Sequence, residues 1–198
     1  MRCINQAELS LSLRCRQVRA LHSSLPAFVQ VNPWQLLFST ERDGHSLQSL
    51  LRQAADHAPT LLALTDTNGH TFGCYATAPW DANGASSSCG AEFIGGGGEC
   101  FLWRWSGTEG ALAKSTWTRE ASLFQLGGGD CIGMGGGGDT YGLWIDRNLD
   151  QGSSGRCTTF DNPVLCRDGG GSEESEVSTA SEVVLASFQV ETLELWGL

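Results

Sequence analysis

Apolar residues fall in short blocks along the chain, and one block has clear helical spacing. In "SLQSLLRQAADHA" (residues 46–58), Leu47, Leu50, Leu51, Ala54 and Ala55 recur at i, i+3, i+4, i+7 and i+8. That places them on a single stripe and predicts a helix, capped by Ser46 and stopped by Pro59. The other blocks alternate with period two. "WQLLFST" (34–40) carries Trp34, Leu36 and Phe38 on one face. "TLLALT" runs through "DTNG" into "HTFGCYAT", a hairpin turning at Asn68-Gly69, where positive φ is tolerated. Further strands are expected at 100–105, 115–118, 122–127, 141–146 and 185–196. Strands are not regularly separated by helices. A doubly wound parallel sheet is therefore disfavoured, and an antiparallel α+β or sandwich arrangement is expected.

Two stretches have nothing to bury. Residues 84–98 ("GASSSCGAEFIGGGG") are small and flexible, and residues 168–182 ("DGGGSEESEVSTASE") are acidic and Ser/Gly-rich. Both read as loop insertions. The first 24 residues read as an N-terminal tail, with residues 25–198 forming a single domain. Four arginines and one acid in the first 20 residues leave an organelle transit peptide as the alternative to a plain tail.

Charge and composition narrow the function. The 198 residues carry a net charge of −10, with pI near 4.7. Nucleic acid and anionic membrane surfaces are poor partners for such a chain. No apolar run approaches the length of a membrane span. The only lysine is Lys114, and it does not fit a phosphate-loop pattern. Eight cysteines (3, 15, 74, 89, 100, 131, 157, 166) form no C-x-x-C, and none is spaced with a histidine as in a zinc site. They read as mostly reduced thiols in the cytoplasm or nucleus. No metal and no cofactor is expected.

"GMGGGGDTYGLWID" (133–146) matches G-x-G-x-x-G at Gly133, Gly135 and Gly138. A pyrophosphate site needs a helix directly after the glycines, with its N-terminus on the phosphate. Residues 139–146 instead alternate around Tyr141 and Trp144 and read as a strand. The glycines are therefore expected to shape a backbone crossing beside a buried Trp144. No nucleophile elbow or H-E-x-x-H is present, so no catalytic residue is assigned. Trp103 and Trp105 share a strand face, which serves either core packing or a partner-facing patch.

The blocks "PWQLLFST", "LLALTDTNGHTFGCYATAPW", "GECFLWRW", "IGMGGGGDTYGLWIDRNLDQGSSGRCTTFDNPVL" and "LELWGL" together resemble a TLDc domain, the module of the oxidation-resistance proteins and their nuclear-receptor-coactivator relatives. The resemblance runs from about residue 25 to the C-terminus. It implies an α+β fold, two antiparallel β-sheets packed as a sandwich with a few peripheral helices. The positions carrying the family pattern are Glu99, Cys100, Gly135, Gly136, Gly137, Gly138, Gly142, Leu143, Trp144, Asp146, Cys157, Phe160, Asp161, Asn162, Pro163, Glu194, Trp196 and Gly197. The insertions at 84–98 and 168–182 are longer than the family usually shows, and the chain reads as a free-standing module.

The resemblance implies no catalytic mechanism. It implies a protein-interaction role, with the soluble sector of the vacuolar proton-pumping ATPase as partner, and a contribution to oxidative-stress resistance. One alternative is a thiol-based oxidant scavenger, with Cys100 and Cys157 as the redox candidates. Another is a phosphate or nucleotide binder using the glycine run.

Overall fold

The computed structural model describes residues 12–80, 92–106, 110–167 and 185–198. The elements in chain order are α1 (Cys15–Ser24), β1 (Gln35–Ser39), α2 (Thr40–Asp43), α3 (Leu47–Ala54), β2 (Thr60–Asp66), β3 (Thr71–Ala76), β4 (Glu92–Gly95), β5 (Phe101–Ser106), β6 (Ala111–Thr116), β7 (Gln125–Gly127), β8 (Cys131–Met134), β9 (Leu143–Asp146), β10 (Gln151–Gly155) and β11 (Leu185–Gly197). The fold is α+β and mostly antiparallel sheet, as expected.

Local chemistry explains the elements that the pattern predicts. The Ser46 side chain accepts from Ser49 N at 3.3 Å, and Leu47, Leu50, Leu51 and Ala54 are buried. The helix is shorter than expected and ends at Ala54, after which His57 N closes on Ala54 O at 3.0 Å. In the β2–β3 hairpin, Gly69 alone takes the positive φ, +84°. Asp66 organises that turn. Its buried Oδ1 accepts from Asn68 N (3.0 Å) and His70 N (2.8 Å), while Oδ2 lies 3.0 Å from His70 Nδ1.

β11 belongs to two sheets. Its first residues, Leu185–Gly155 through Gln189–Gln151, pair antiparallel with β10. From Val190 onward it pairs with β2, and Glu194 to Gly197 also pair with β1. One sheet therefore runs β1-β11-β2-β3-β5-β6, and the other runs β4-β7-β8-β9-β10-β11. The register breaks between Val190 and Thr192, where the strand changes sheets. Burial changes at the same place. Ala186, Phe188 and Val190 are buried and alternate with exposed Leu185, Ser187, Gln189 and Glu191; Leu193 to Gly197 are buried without alternation. A strand covered on both faces loses its alternation.

The space between the sheets holds the main core. Phe72 of β3 meets Phe188 of β11 edge to face, with centroids 5.0 Å apart. Gln125 of β7 is fully buried and bridges to the segment after β3: Ala78 N donates to its Oε1 and its Nε2 donates to Ala78 O, both at 2.9 Å. A side-chain amide here pairs with backbone as a strand would. Where the long connections of the sandwich end, it ties one sheet to the other.

The outer face of the first sheet carries a second cluster. Leu61, Ala63, Tyr75, Phe101, Trp103 and Trp196 pack there against Val18, Leu21, Leu25, Val29 and Trp34. The expected boundary at residue 25 is therefore corrected. Residues 15–24 form α1, and Val18 and Leu21 are completely buried. The helix escapes pattern reading because few apolar residues mark it and its N-cap, Arg14, offers no cap side chain. The glycine-rich insertion is also corrected in part: residues 92–95 form β4, paired with β7. The acidic insertion at 168–182 lies outside the described residues.

Replacing Gln125 with Leu keeps the volume but leaves the Ala78 N–H and C=O without partners. Stability measured by urea unfolding should fall by about 2–4 kcal/mol, with faster hydrogen exchange at Ala78. A loss below about 0.5 kcal/mol would show that the bridge contributes nothing net.

Candidate functional site

β8 ends at Met134, and the glycine run carries the chain to β9. Gly135, Gly137 and Gly138 adopt φ of +79°, +93° and +75°, and Asp139 comes next at +65°. Side chains would not fit in this passage. A Cβ on Gly135 would stand 2.6 Å from Phe160 and 2.7 Å from the Cys157 sulfur, and one on Gly136 would stand 2.4 Å from Phe93. Both the conformation and the crowding demand glycine.

The crossing is stitched by backbone bonds. Gly135 N donates to Phe124 O (2.6 Å) and Gly142 N to Gly135 O (3.0 Å). The carbonyls of Gly136 and Gly137 accept from Thr159 N and Thr158 N, each at 3.2 Å, and Thr159 Oγ1 also donates to Gly136 O at 3.0 Å. A phosphate cradle presents N–H groups at a helix N-terminus. Here two of the carbonyls accept from the neighbouring loop, and β9 stands in place of a helix. The geometry is that of a packed backbone crossing.

Asn162 fixes the loop on the other side. It is fully buried. Its Oδ1 accepts from Cys157 N (3.3 Å) and lies 3.1 Å from Cys157 Sγ, and its Nδ2 donates to Gly155 O (2.9 Å) and Pro163 O (3.0 Å). Phe160 packs toward Phe124, with centroids 6.1 Å apart. Asp161 is exposed at φ +47° and paired with Arg156, whose guanidinium holds its carboxyl below the usual range. Ser154 donates to Gly142 O (2.7 Å) and accepts from Leu165 N (3.0 Å). Gly142, Leu143, Cys157, Phe160, Asn162 and Pro163 thus form one unit with the glycine run.

Trp144 differs from expectation. It is half-buried, on the outer face of the second sheet opposite Gly133 and Ser153. Phe160, Cys157 and Phe93 are the side chains that press on the glycines. Strand parity accounts for the difference: Leu143 and Ile145 take the inner face, so Trp144 and Asp146 take the outer one. Asp146 Oδ1 accepts from Asp150 N (3.0 Å) and Gln151 N (3.2 Å) and closes the β9–β10 turn.

The remaining signature residues lie elsewhere. Glu99 is exposed, and Cys100 beside it is buried, with Sγ 3.2 Å from Thr77 Oγ1. Glu194 is buried on β11, between β1 and β2, and accepts from Trp196 Nε1 at 3.2 Å, while Gly197 faces Leu37. Trp103 is fully buried and Trp105 half-exposed under Arg16, whose guanidinium is 6.0 Å from its ring centroid. The eighteen signature positions do not converge on a common cleft.

Among the described residues, Cys74, Cys100, Cys131, Cys157 and Cys166 are buried and Cys15 is exposed. Burial pushes the Cys74, Cys131, Cys157 and Cys166 thiols up, away from the thiolate that reacts with peroxide. One surface feature escapes sequence reasoning. Phe93 and Tyr141 stand beside the crossing with rings 6.4 Å apart, and each exposes over a third of its surface (36% and 38%). Phe93 precedes a run of glycines, and Tyr141, read as part of a strand, lies just ahead of β9; nothing in the sequence brings the two together.

A family model described as "TLDc domain" matches residues 11–198. Nuclear receptor coactivator 7 of Homo sapiens is 35% identical over 159 residues, covering 80% of this chain and 16% of the coactivator. Oxidation resistance protein 1 of Xenopus tropicalis is 32% identical over 164 residues, 82% of this chain and 18% of that protein. GTPase-activating protein skywalker of Drosophila melanogaster is 28% identical over 187 residues, 89% of this chain and 28% of that protein. The chain thus corresponds to under a third of each relative.

Gly135→Ala should cost about 2–4 kcal/mol of stability, through the left-handed backbone and the contact with Phe160. Gly129→Ala, where a Cβ meets nothing within 4 Å, should stay within about 1 kcal/mol. Equal effects, read from urea midpoints, would refute the packing account of the run. In the folded chain, Cys157 should react with iodoacetamide more slowly than free cysteine at about pH 8.5, with the rate rising only at higher pH, and urea should abolish the difference. A folded-state rate at or above that of free cysteine would make Cys157 a nucleophile.

Proposed function

The chain belongs to the TLDc domain family, and we propose that it acts as a protein-interaction module without catalytic residues, contacting the soluble sector of the vacuolar proton-pumping ATPase and contributing to oxidative-stress resistance. One observation carries this reading. The buried polar side chains of the signature are taken up by structural bonds, Asn162 with the 155–163 loop and Glu194 with Trp196, and leave no convergent set for chemistry. The name of the oxidation resistance protein supports the stress link. The raised thiols favour an indirect route to that resistance over direct scavenging.

The exposed Phe93–Tyr141 pair is the contact surface we assign. Aromatic residues beside a rigid scaffold make interface anchors at small entropic cost. With ten more negative than positive charges, the chain should meet a basic surface, and salt should weaken the encounter. Such a partner places the domain on the cytoplasmic side of the membrane. Among the described residues no helix is long and apolar enough to cross one.

Pull-down with the purified soluble sector of the pump should capture the chain at low salt and lose it as ionic strength rises. Phe93→Ala combined with Tyr141→Ala should weaken capture about 10-fold or more at a temperature where the variant stays folded, as far-UV circular dichroism checks. No association at low salt would sink the pump as partner.

A further inference from the structure

The apolar layer on the outer face of the first sheet contains three buried polar atoms with no hydrogen-bond partner: Tyr75 OH and Trp103 Nε1 on the strands, and Trp34 Nε1 just before β1. All three residues belong to the apolar cluster that α1 helps to cover. Two of the atoms are indole N–H groups, which only donate. Trp34 lies against Trp196, with centroids 6.2 Å apart. The Trp103 ring occupies the space left by Gly73, where a Cβ would stand 3.0 Å from its Cζ2. Gln17 is the buried polar side chain of α1, and it does not answer these donors. Its Oε1 turns back to accept from Arg14 N at 2.7 Å. The helix fits the face in shape and leaves its hydrogen bonding unmet.

Val18 and Leu21 are fully buried, but the polar contacts of the α1 segment are few, among them His22 Nε2 at 3.0 Å from Gln30 O and Thr65 Oγ1 donating to Ser12 O at 3.4 Å. A helix of ten residues does not hold its shape alone in water. Its C-terminal end is tied by Lys114, the sole lysine of the chain, whose Nζ donates to Ser24 O at 2.9 Å and lies 3.9 Å from the Phe101 ring centroid. Lys114 sits on β6, the last strand of its sheet, and is exposed. At the other end, Ser12 Oγ lies 3.0 Å from Thr192 Oγ1. Charge also distinguishes the helix. Arg16 and Arg19 lie on it and Arg14 at its cap, with no acid among residues 14–24 of a chain whose net charge is −10.

We propose that this face is a docking site for an amphipathic helix of a partner protein, which takes the place of α1 when Lys114 releases Ser24. That helix is basic on its solvent side, to suit the acidic body, and carries an amide or hydroxyl acceptor within its apolar stripe, to meet the Trp34 and Trp103 donors. The proposal rests on reading the domain as an interaction module, and it does not depend on the pump being the partner.

The test uses the full chain as wild type, Lys114→Met and Lys114→Arg, monitored by hydrogen exchange. Its probes are fluorescent peptides of residues 12–25 with Cys15→Ser, either otherwise unchanged or carrying Val18→Gln or Leu21→Gln. In the wild type, amides of 15–24 should exchange at least about 10-fold faster than those of β2 and β3. Lys114→Met should raise that rate about 10-fold without touching β2 or β3, and Lys114→Arg should keep the wild-type rate. The unchanged peptide should bind Lys114→Met, and at least one Gln peptide should bind it about 5-fold tighter by anisotropy. If α1 exchanges no faster than β2 and β3, or if both Gln peptides bind more weakly than the parent, the proposal is overturned. Should Lys114→Met unfold, seen as lost protection of β2 and β3, the wild type decides: peptide must speed exchange of 15–24, and no effect refutes the site. Failure to capture the pump with this result positive would remove that partner and leave the docking face standing.

Discussion

The constraint on which the fold depends is that a single strand must serve two sheets. β11 spans thirteen residues and pairs with β10 at its start and with β2 and β1 at its end. Its first half needs one apolar face and its second half needs two. The sequence alternates through Val190 and then becomes continuous at Leu193, Glu194, Leu195, Trp196 and Gly197. The irregularity between Val190 and Thr192 lets the backbone turn from one sheet to the other. Phe188 then reaches Phe72 across the core, and Trp196 reaches Trp34 on the opposite side. Both apolar clusters thus draw on this strand.

The glycine crossing is the second consequence of close packing. Connecting β8 to β9 in so narrow a space brings backbone against the 157–163 loop, and glycine permits that approach. Asn162 then meets backbone groups of Gly155, at the end of β10, and of Cys157 and Pro163 beyond it. The chemistry of the signature is therefore the chemistry of satisfying buried backbone. It resembles a ligand motif only because ligand cradles also need glycine where backbones come close.

Much of this is legible in the sequence, and the exceptions have physical causes. The α3 stripe and its Ser46 cap, the β2–β3 hairpin and the long alternation of β11 all declare themselves, because each is amphipathic by its own periodicity. β10, "QGSSG", contains no large apolar residue. It is a strand because Phe188 fills the space over Gly152, where a Cβ would stand 2.3 Å from the ring. Tertiary contact, not propensity, decides it. α1 hides for a related reason: its burial comes from the face of another element. Of the site, the glycine need and the strand after it are readable. The sidedness of Trp144 and the meeting of Phe93 with Tyr141 depend on parity and on distant pairing.

The two layers differ in how completely their polar groups are satisfied. Between the sheets, Gln125, Ser154, Thr159 and Asn162 are buried and each is hydrogen-bonded. Among the described residues, the buried side-chain atoms without a partner are Trp34 Nε1, Tyr75 OH, Trp103 Nε1 and Arg104 Nε, and the first three lie in the cluster on the α1 side. An unmet buried donor costs free energy that a better-matched neighbour recovers. The inter-sheet residues Gln125, Ser154, Thr159 and Asn162 are met, with Arg104 Nε the unmet atom on that side, whereas three polar atoms are unmet in the outer layer. The inter-sheet layer is thus held by polar as well as apolar contacts, and the outer layer by apolar packing around the unmet Trp34, Tyr75 and Trp103 groups.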